Sequence, residues 1–142
     1  MAIDEQKIKQ KLAETCPKLG ISLVYLFGSA ARKSEDFRDI DIAVLVETKQ
    51  PDPENELEIA AELKSALEEE IESSTPLETT PLNSANALLR FESIKEGKCL
   101  YARSEEERIG FEMKTIREYG DYKAKSRIYE QAIKDRLKKK LA

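Results

Sequence analysis

The sequence predicts an α+β protein, a small mixed and largely antiparallel sheet flanked by helices. Three observations carry this. Ile21 to Phe27 (ISLVYLF) and Ile40 to Val46 (IDIAVLV) are β-branched, aromatic and nearly free of polar side chains, as strands covered on both faces are. Amphipathic helical patterns stand before the first strand, after the second and over the C-terminal third of the chain. Polar residues cluster at one end of each strand, Gly28-Ser29 closing the first and Asp39-x-Asp41 opening the second. These clusters share an end of the sheet only if the two strands run antiparallel, which excludes a Rossmann βαβ unit.

The elements follow in order. Asp4 caps a short helix with Ile8 and Leu12 on one side, and Cys16-Pro17 is expected to end it near Thr15. After the first strand, Ser29 to Lys33 reads as one or two helical turns. The second strand leads through a loop at Thr48–Gln50 to Asp52-Pro53, a cap followed by proline at the first helical position. That helix is expected to reach about Glu72 and to bury Leu57, Ala60, Leu67 and Ile71. Pro76 to Leu82 reads as a third, weaker strand containing Glu78. Asn83 or Ser84 opens a helix through Leu88, Leu89, Phe91 and Ile94, closed by Gly97. Lys98 to Ala102 is a short strand. Ser104 with Glu107 fits a capping box, and the helix it starts is expected to pause at Gly120-Asp121 and resume to about Leu141.

At 142 residues the chain fits one domain, with a core over 1–103 and a helical extension over 104–142. Two cysteines, Cys16 and Cys99, make no disulfide framework. There is no histidine, so Ser-His-Asp and Cys-His nucleophile chemistry and imidazole acid–base catalysis are excluded. Any catalysis rests on carboxylates, hydroxyls, basic side chains or a hard metal ion. The start of the chain shows no leader composition, no apolar run is long enough to span a membrane, and a cytoplasmic location is expected. The net charge of −4 argues against stable nucleic-acid binding, but it is unevenly spread. From Glu47 to Glu78 there are 11 acids and 2 bases; from Glu112 to Ala142 there are 10 bases and 5 acids. The terminal helix places Tyr122, Ile128, Tyr129, Ala132, Ile133 and Leu137 at helical spacings before Lys138-Lys139-Lys140, which suits either packing on the sheet or docking of a partner.

The chemistry concentrates between Leu26 and Val46. A glycine at the end of a buried strand lets backbone approach a ligand, and a following helix N-terminus offers free N–H groups to phosphate. Asp39 and Asp41 alternate onto one strand face while Ile40, Ile42 and Val44 turn to the core. Two adjacent carboxylates repel unless a cation lies between them, and magnesium is commonly held by one or two carboxylates plus substrate phosphates. No Walker or Gly-x-Gly-x-x-Gly loop is present.

The segment Gly28-Ser29-Ala-Ala-Arg32 … Asp39-Ile-Asp41-Ile-Ala-Val resembles the signature of the DNA polymerase β-like nucleotidyltransferase superfamily. Leu82 to Tyr101 is similar to the minimal nucleotidyltransferases of the MntA type, antitoxins paired with HEPN toxins. The resemblance implies the polymerase β-like nucleotidyltransferase fold with C-terminal helices. It implies that Gly28, Ser29 and Arg32 hold the ATP triphosphate, and that Asp39, Asp41 and a third carboxylate, here Glu78, are catalytic and ligate magnesium, two ions in the superfamily mechanism. The family usually has aspartate where Glu78 stands, glycine at Lys33 and serine at Arg38. The implied activity is transfer of AMP from ATP to a tyrosine of the HEPN ribonuclease toxin. The alternatives are transfer to a small hydroxyl substrate such as an aminoglycoside, and neutralisation of the partner by binding alone.

Overall fold

The computed structural model describes residues 4–28, 39–71 and 75–141. The elements are α1 (Glu5–Leu19), β1 (Ile21–Phe27), β2 (Ile40–Val46), α2 (Pro53–Glu68), β3 (Leu77–Pro81), α3 (Ala87–Lys95), β4 (Lys98–Ala102) and α4 (Glu105–Leu141). The sheet order is β3-β2-β1-β4; β1 runs antiparallel to both β2 and β4, and β2 pairs in parallel with β3. The mixed, mainly antiparallel sheet expected from the sequence is present.

Both faces of the sheet are covered, which accounts for the near-absence of polar residues in β1. On one face Val24, Leu26, Ile40, Ile42 and Val44 pack with Ile8, Leu12 and Cys16 of α1 and Leu63 and Leu67 of α2. On the other, Leu23, Tyr25 and Ala43 meet Leu82, with Ile94 of α3 and Phe111 of α4 packed against them. A register shift between Ile21 and Leu23 breaks the alternation and turns Ile21 to the α1/α2 face.

Four sequence expectations are corrected. Helix α1 does not stop at Thr15 but continues through Pro17 to Leu19. A proline so near the end removes one N–H hydrogen bond at an exposed position, and the stop is made instead by Gly20, left-handed at φ 70°, whose N–H donates to the Cys16 carbonyl. Helix α2 ends at Glu68, short of Glu72; Ala60 and Leu67 are buried as expected and Ile71 packs against the core, but Leu57 does not face inward. Leu57 is 59% exposed, while Glu56, Ala60, Leu63 and Leu67 face inward. The Glu56 carboxylate accepts the Ser84 hydroxyl at 3.0 and 3.2 Å, which satisfies an acid at a core-facing position. Helix α3 starts at Ala87, capped by Asn86, not at Asn83 or Ser84. Asn83 is engaged elsewhere: its amide donates to the Val46 carbonyl at 2.8 Å and accepts the Val46 N–H at 2.9 Å, clamping the end of β2. Finally, α4 is one continuous 37-residue helix with no pause at Gly120. Glycine costs a helix interior only about 1 kcal/mol, too little to break it. Of the expected capping box, the Ser104 hydroxyl accepts the Glu107 N–H at 3.1 Å, while the Glu107 carboxylate pairs with Arg103.

The inward face of α2 gives a direct check. Leu63 is fully buried, so Leu63→Ala is expected to lower unfolding free energy by about 2–5 kcal/mol. The same change at Leu57 is expected to stay within about 0.5 kcal/mol. Urea denaturation of the two variants reads which leucine faces the core.

Candidate active site

Antiparallel pairing of β1 with β2 and parallel pairing of β2 with β3 bring three strand ends together. Phe27 lies opposite Asp41 on one side, and Glu78 lies opposite Asp41 on the other. Because Ile40 and Ile42 face α1 and α2, Asp41 projects from the opposite face, in phase with Ala43. Glu78 follows Leu77, which packs with the α1/α2 core, and so shares the Asp41 face. Asp39 immediately precedes β2 and is exposed.

The turn after β1 meets the same carboxylate. Gly28 has φ 76°, the left-handed region that side chains resist, and a Cβ there would lie 2.6 Å from Asp41 Oδ2. Sequence reading gave Gly28 a role toward phosphate; the structure shows in addition that only a bare backbone fits against Asp41. Ser29 and Arg32, the other expected phosphate contacts, and the helical turns at 29–33, lie outside the described residues.

Electrostatically this end of the sheet is a concentration of negative charge. Burial raises the Asp41 pKa above its ordinary 3.8, and the neighbouring Asp39 and Glu78 raise it further. No described lysine or arginine pairs with any of the three. Among the described residues no three His, Cys, Asp or Glu side chains converge closely enough to hold a metal ion unaided. The donor set nevertheless suits magnesium, which asks for one or two hard carboxylates and completes its shell with water and phosphate oxygens.

A raised carboxylate pKa means that the folded state holds its proton to higher pH than the unfolded chain does. Stability of the metal-free protein therefore falls as pH rises from the ordinary Asp value, and the penalty is fully present once Asp41 ionises. Asp41→Asn is expected to raise the melting temperature at neutral pH, with the gain vanishing below about pH 3.8, the unperturbed Asp value. Calorimetric melts of wild type and variant between pH 3 and 8 read this directly.

Arg90, which sequence reading did not single out, and Asn83, which it read as a helix cap, build the far end of the sheet. Arg90 donates to the Leu82 carbonyl at 2.8 Å, to the Asn83 carbonyl, and to Glu118 at 3.1 Å, tying the exit of β3 to α4. Asn83 is the clamp described above. An arginine after the apolar run Ala87-Leu88-Leu89 is the sequence signal for this lock.

The model of the polymerase β and nucleotidyltransferase family matches residues 6–106, an interval containing all four strands and every candidate site residue. The chain belongs to this nucleotidyltransferase family. Solved structures extend the likeness of this nucleotidyltransferase over nearly all of its length. A toxin–antitoxin MntA complex carrying two Asp-to-Glu substitutions matches at 27% identity and TM-score 0.68, covering 92% of this chain and 98% of the other. A toxin–antitoxin crystallised with AMP-PNP matches at 29% and 0.67, with the same coverage. A tri-AMPylated HEPN toxin of Shewanella oneidensis in complex with its MNT antitoxin matches at 27% and 0.64, over 91% and 98%. No curated protein matches the sequence. No helix among the described residues is long and apolar enough to cross a membrane.

Proposed function

We propose that this nucleotidyltransferase is the antitoxin of a toxin–antitoxin pair and that it transfers AMP from ATP to a tyrosine hydroxyl of a HEPN-family toxin. The observation that carries the reading is the meeting of Gly28, Asp41 and Glu78 at one end of the sheet. It is supported by likeness, over 92% of the chain, to a toxin–antitoxin protein crystallised with AMP-PNP.

The turn at Gly28-Ser29, with Arg32, receives the triphosphate. Gly28 presents its backbone because at φ 76° a side chain is strained and its Cβ would crowd the Asp41 carboxylate. Asp39 and Asp41 would hold magnesium, with Glu78 beside them; when bound, the metal neutralises phosphate charge and favours in-line displacement. The acceptor hydroxyl oxygen forms a bond to the α-phosphorus, the bond from that phosphorus to the bridging oxygen breaks, and pyrophosphate departs. The hydroxyl proton passes to the Glu78 carboxylate, which lies beside Asp41 in the register and is open to solvent. Glutamate extends one methylene further than the aspartate usual in the family, and its position on an edge strand gives it room to do so. Catalysis of this kind consists of positioning and charge stabilisation, for which histidine is not required. AMP on the toxin adds bulk and negative charge where RNA would bind.

The test is incubation with ATP labelled at the α-phosphate, magnesium and the HEPN partner. Label on the toxin is expected, and it should disappear when a tyrosine of the toxin is replaced by phenylalanine. Label only on small hydroxyl compounds, or a tight complex without label, would contradict the reading.

A further inference from the structure

We propose that the distal half of α4, from Tyr122 to Leu137, is the arm by which this chain grips its toxin, seating Tyr122, Tyr129, Ile133 and Leu137 in an apolar groove rimmed by carboxylates. The proposal rests on the toxin–antitoxin reading above and adds to it the surface used.

The proximal half of α4 shows what the helix face is built to do. Phe111 packs near Tyr25, with ring centroids 6.3 Å apart, and Thr115 is buried. Glu118 bonds to Arg90 at 3.1 Å, and Tyr119 stacks on Phe91 of α3 at 3.9 Å with the rings nearly parallel. Steps of three, four and seven return to one side of a helix. From Tyr119 such steps lead to Tyr122, Tyr129, Ile133 and Leu137, so the seam that holds α4 to the body runs on past the body. There it meets nothing: from Gly120 to Lys140 every residue except Ser126 is exposed, Tyr129 by 69% and Leu137 by 52%. The stretch is about 30 Å of helix, and helices without tertiary packing are marginal in water. A large apolar stripe on a projecting helix marks an interaction surface of the helix-in-groove kind.

Charge decides which partner. Between Asp121 and Lys140 there are eight lysines and arginines against three acids. A second copy of the same arm would set like charges side by side, which disfavours pairing of two α4 helices. A partner groove with acidic edges satisfies both the stripe and its flanks. Of the two roles the sequence left open for the terminal helix, the proximal half packs on the body and the distal half is the docking surface.

The test measures affinity for unmodified HEPN toxin by titration calorimetry without ATP, so that binding is read apart from transfer. Tyr129→Ala, Ile133→Ala and Leu137→Ala combined retain helix-forming residues, and unchanged circular dichroism verifies the fold. The triple variant is expected to bind about 100-fold more weakly. Replacing Lys138, Lys139 and Lys140 by glutamate is expected to weaken binding at low salt and to flatten its salt dependence. Wild-type affinity in the triple variant would overturn the arm while leaving AMP transfer standing. So would sedimentation showing that the chain alone is a dimer which the triple variant dissolves. Loss of affinity in the variant, with no AMP transfer by the wild type, would sustain the arm and overturn the transfer. Absence of binding by the wild type would overturn both.

Discussion

Replacing Asp39 and Asp41 together by alanine is expected to leave a folded protein without the proposed AMP transfer. The fold survives because Asp39 is exposed and Asp41 lies at the margin of the core, whose buried members are the flanking Ile40 and Ile42. Removing the pair also removes a carboxylate whose pKa is raised by burial and by its neighbours' charge, so the melting temperature should not fall. Activity is another matter. Preorganised charge opposite a reacting phosphoryl group is commonly worth 10²–10³ in rate per contributing group. The initial rate of label transfer should therefore drop by at least about 10³-fold, read beside a thermal melt. A rate within tenfold of wild type would remove the carboxylates from the mechanism.

Gly28→Ala is the second large effect, and it works through shape. The new methyl meets two penalties at once. At φ 76° an L-residue costs roughly 1–2 kcal/mol, and the Cβ would lie 2.6 Å from Asp41 Oδ2, closer than real Cβ contacts are found. Either the turn or the Asp41 carboxylate must move, and a displacement of 1 Å at a reacting centre can reduce rate about 10²-fold. The expected variant is destabilised by about 1–3 kcal/mol and slowed by about 10²-fold or more. Chemical denaturation and transfer kinetics read the two parts. A variant of wild-type stability and rate would show that the close approach of Gly28 to Asp41 has no role.

What the sequence made legible were features whose cause is local. The near-continuous apolar runs of β1 and β2 require a sheet covered on both faces, and the polar residues at their ends require those ends to coincide. Asp52-Pro53 and Ser104 act as caps because a cap involves only the next three residues. The misread features have non-local causes. Asn83 and Asn86 can each cap a helix; the choice is made by the Val46 backbone, 37 residues from Asn83, which engages its amide. In the first turn of α2 Glu56 rather than Leu57 faces inward, and Glu56 is accommodated there by the Ser84 hydroxyl. Pro17 and Gly120 read as breaks, yet α1 is set by Gly20 and α4 has no constraint at Gly120 to make it bend. In the candidate site, Asp39-x-Asp41 and Gly28 were legible as types and spacing. The contact of Gly28 with Asp41 was not, since it depends on the β1–β2 register.

The most direct measurement is a crystal of the chain grown with AMP-PNP and manganese, whose anomalous scattering locates the ion. The expected map has a manganese peak touching the Asp39 and Asp41 carboxylates, with the triphosphate running from it to the backbone of the Gly28 turn. A map with those carboxylates unliganded and the nucleotide elsewhere, for instance in the cleft between Leu45, Asn83 and Lys114 at the far end of the sheet, would contradict the assignment at its root.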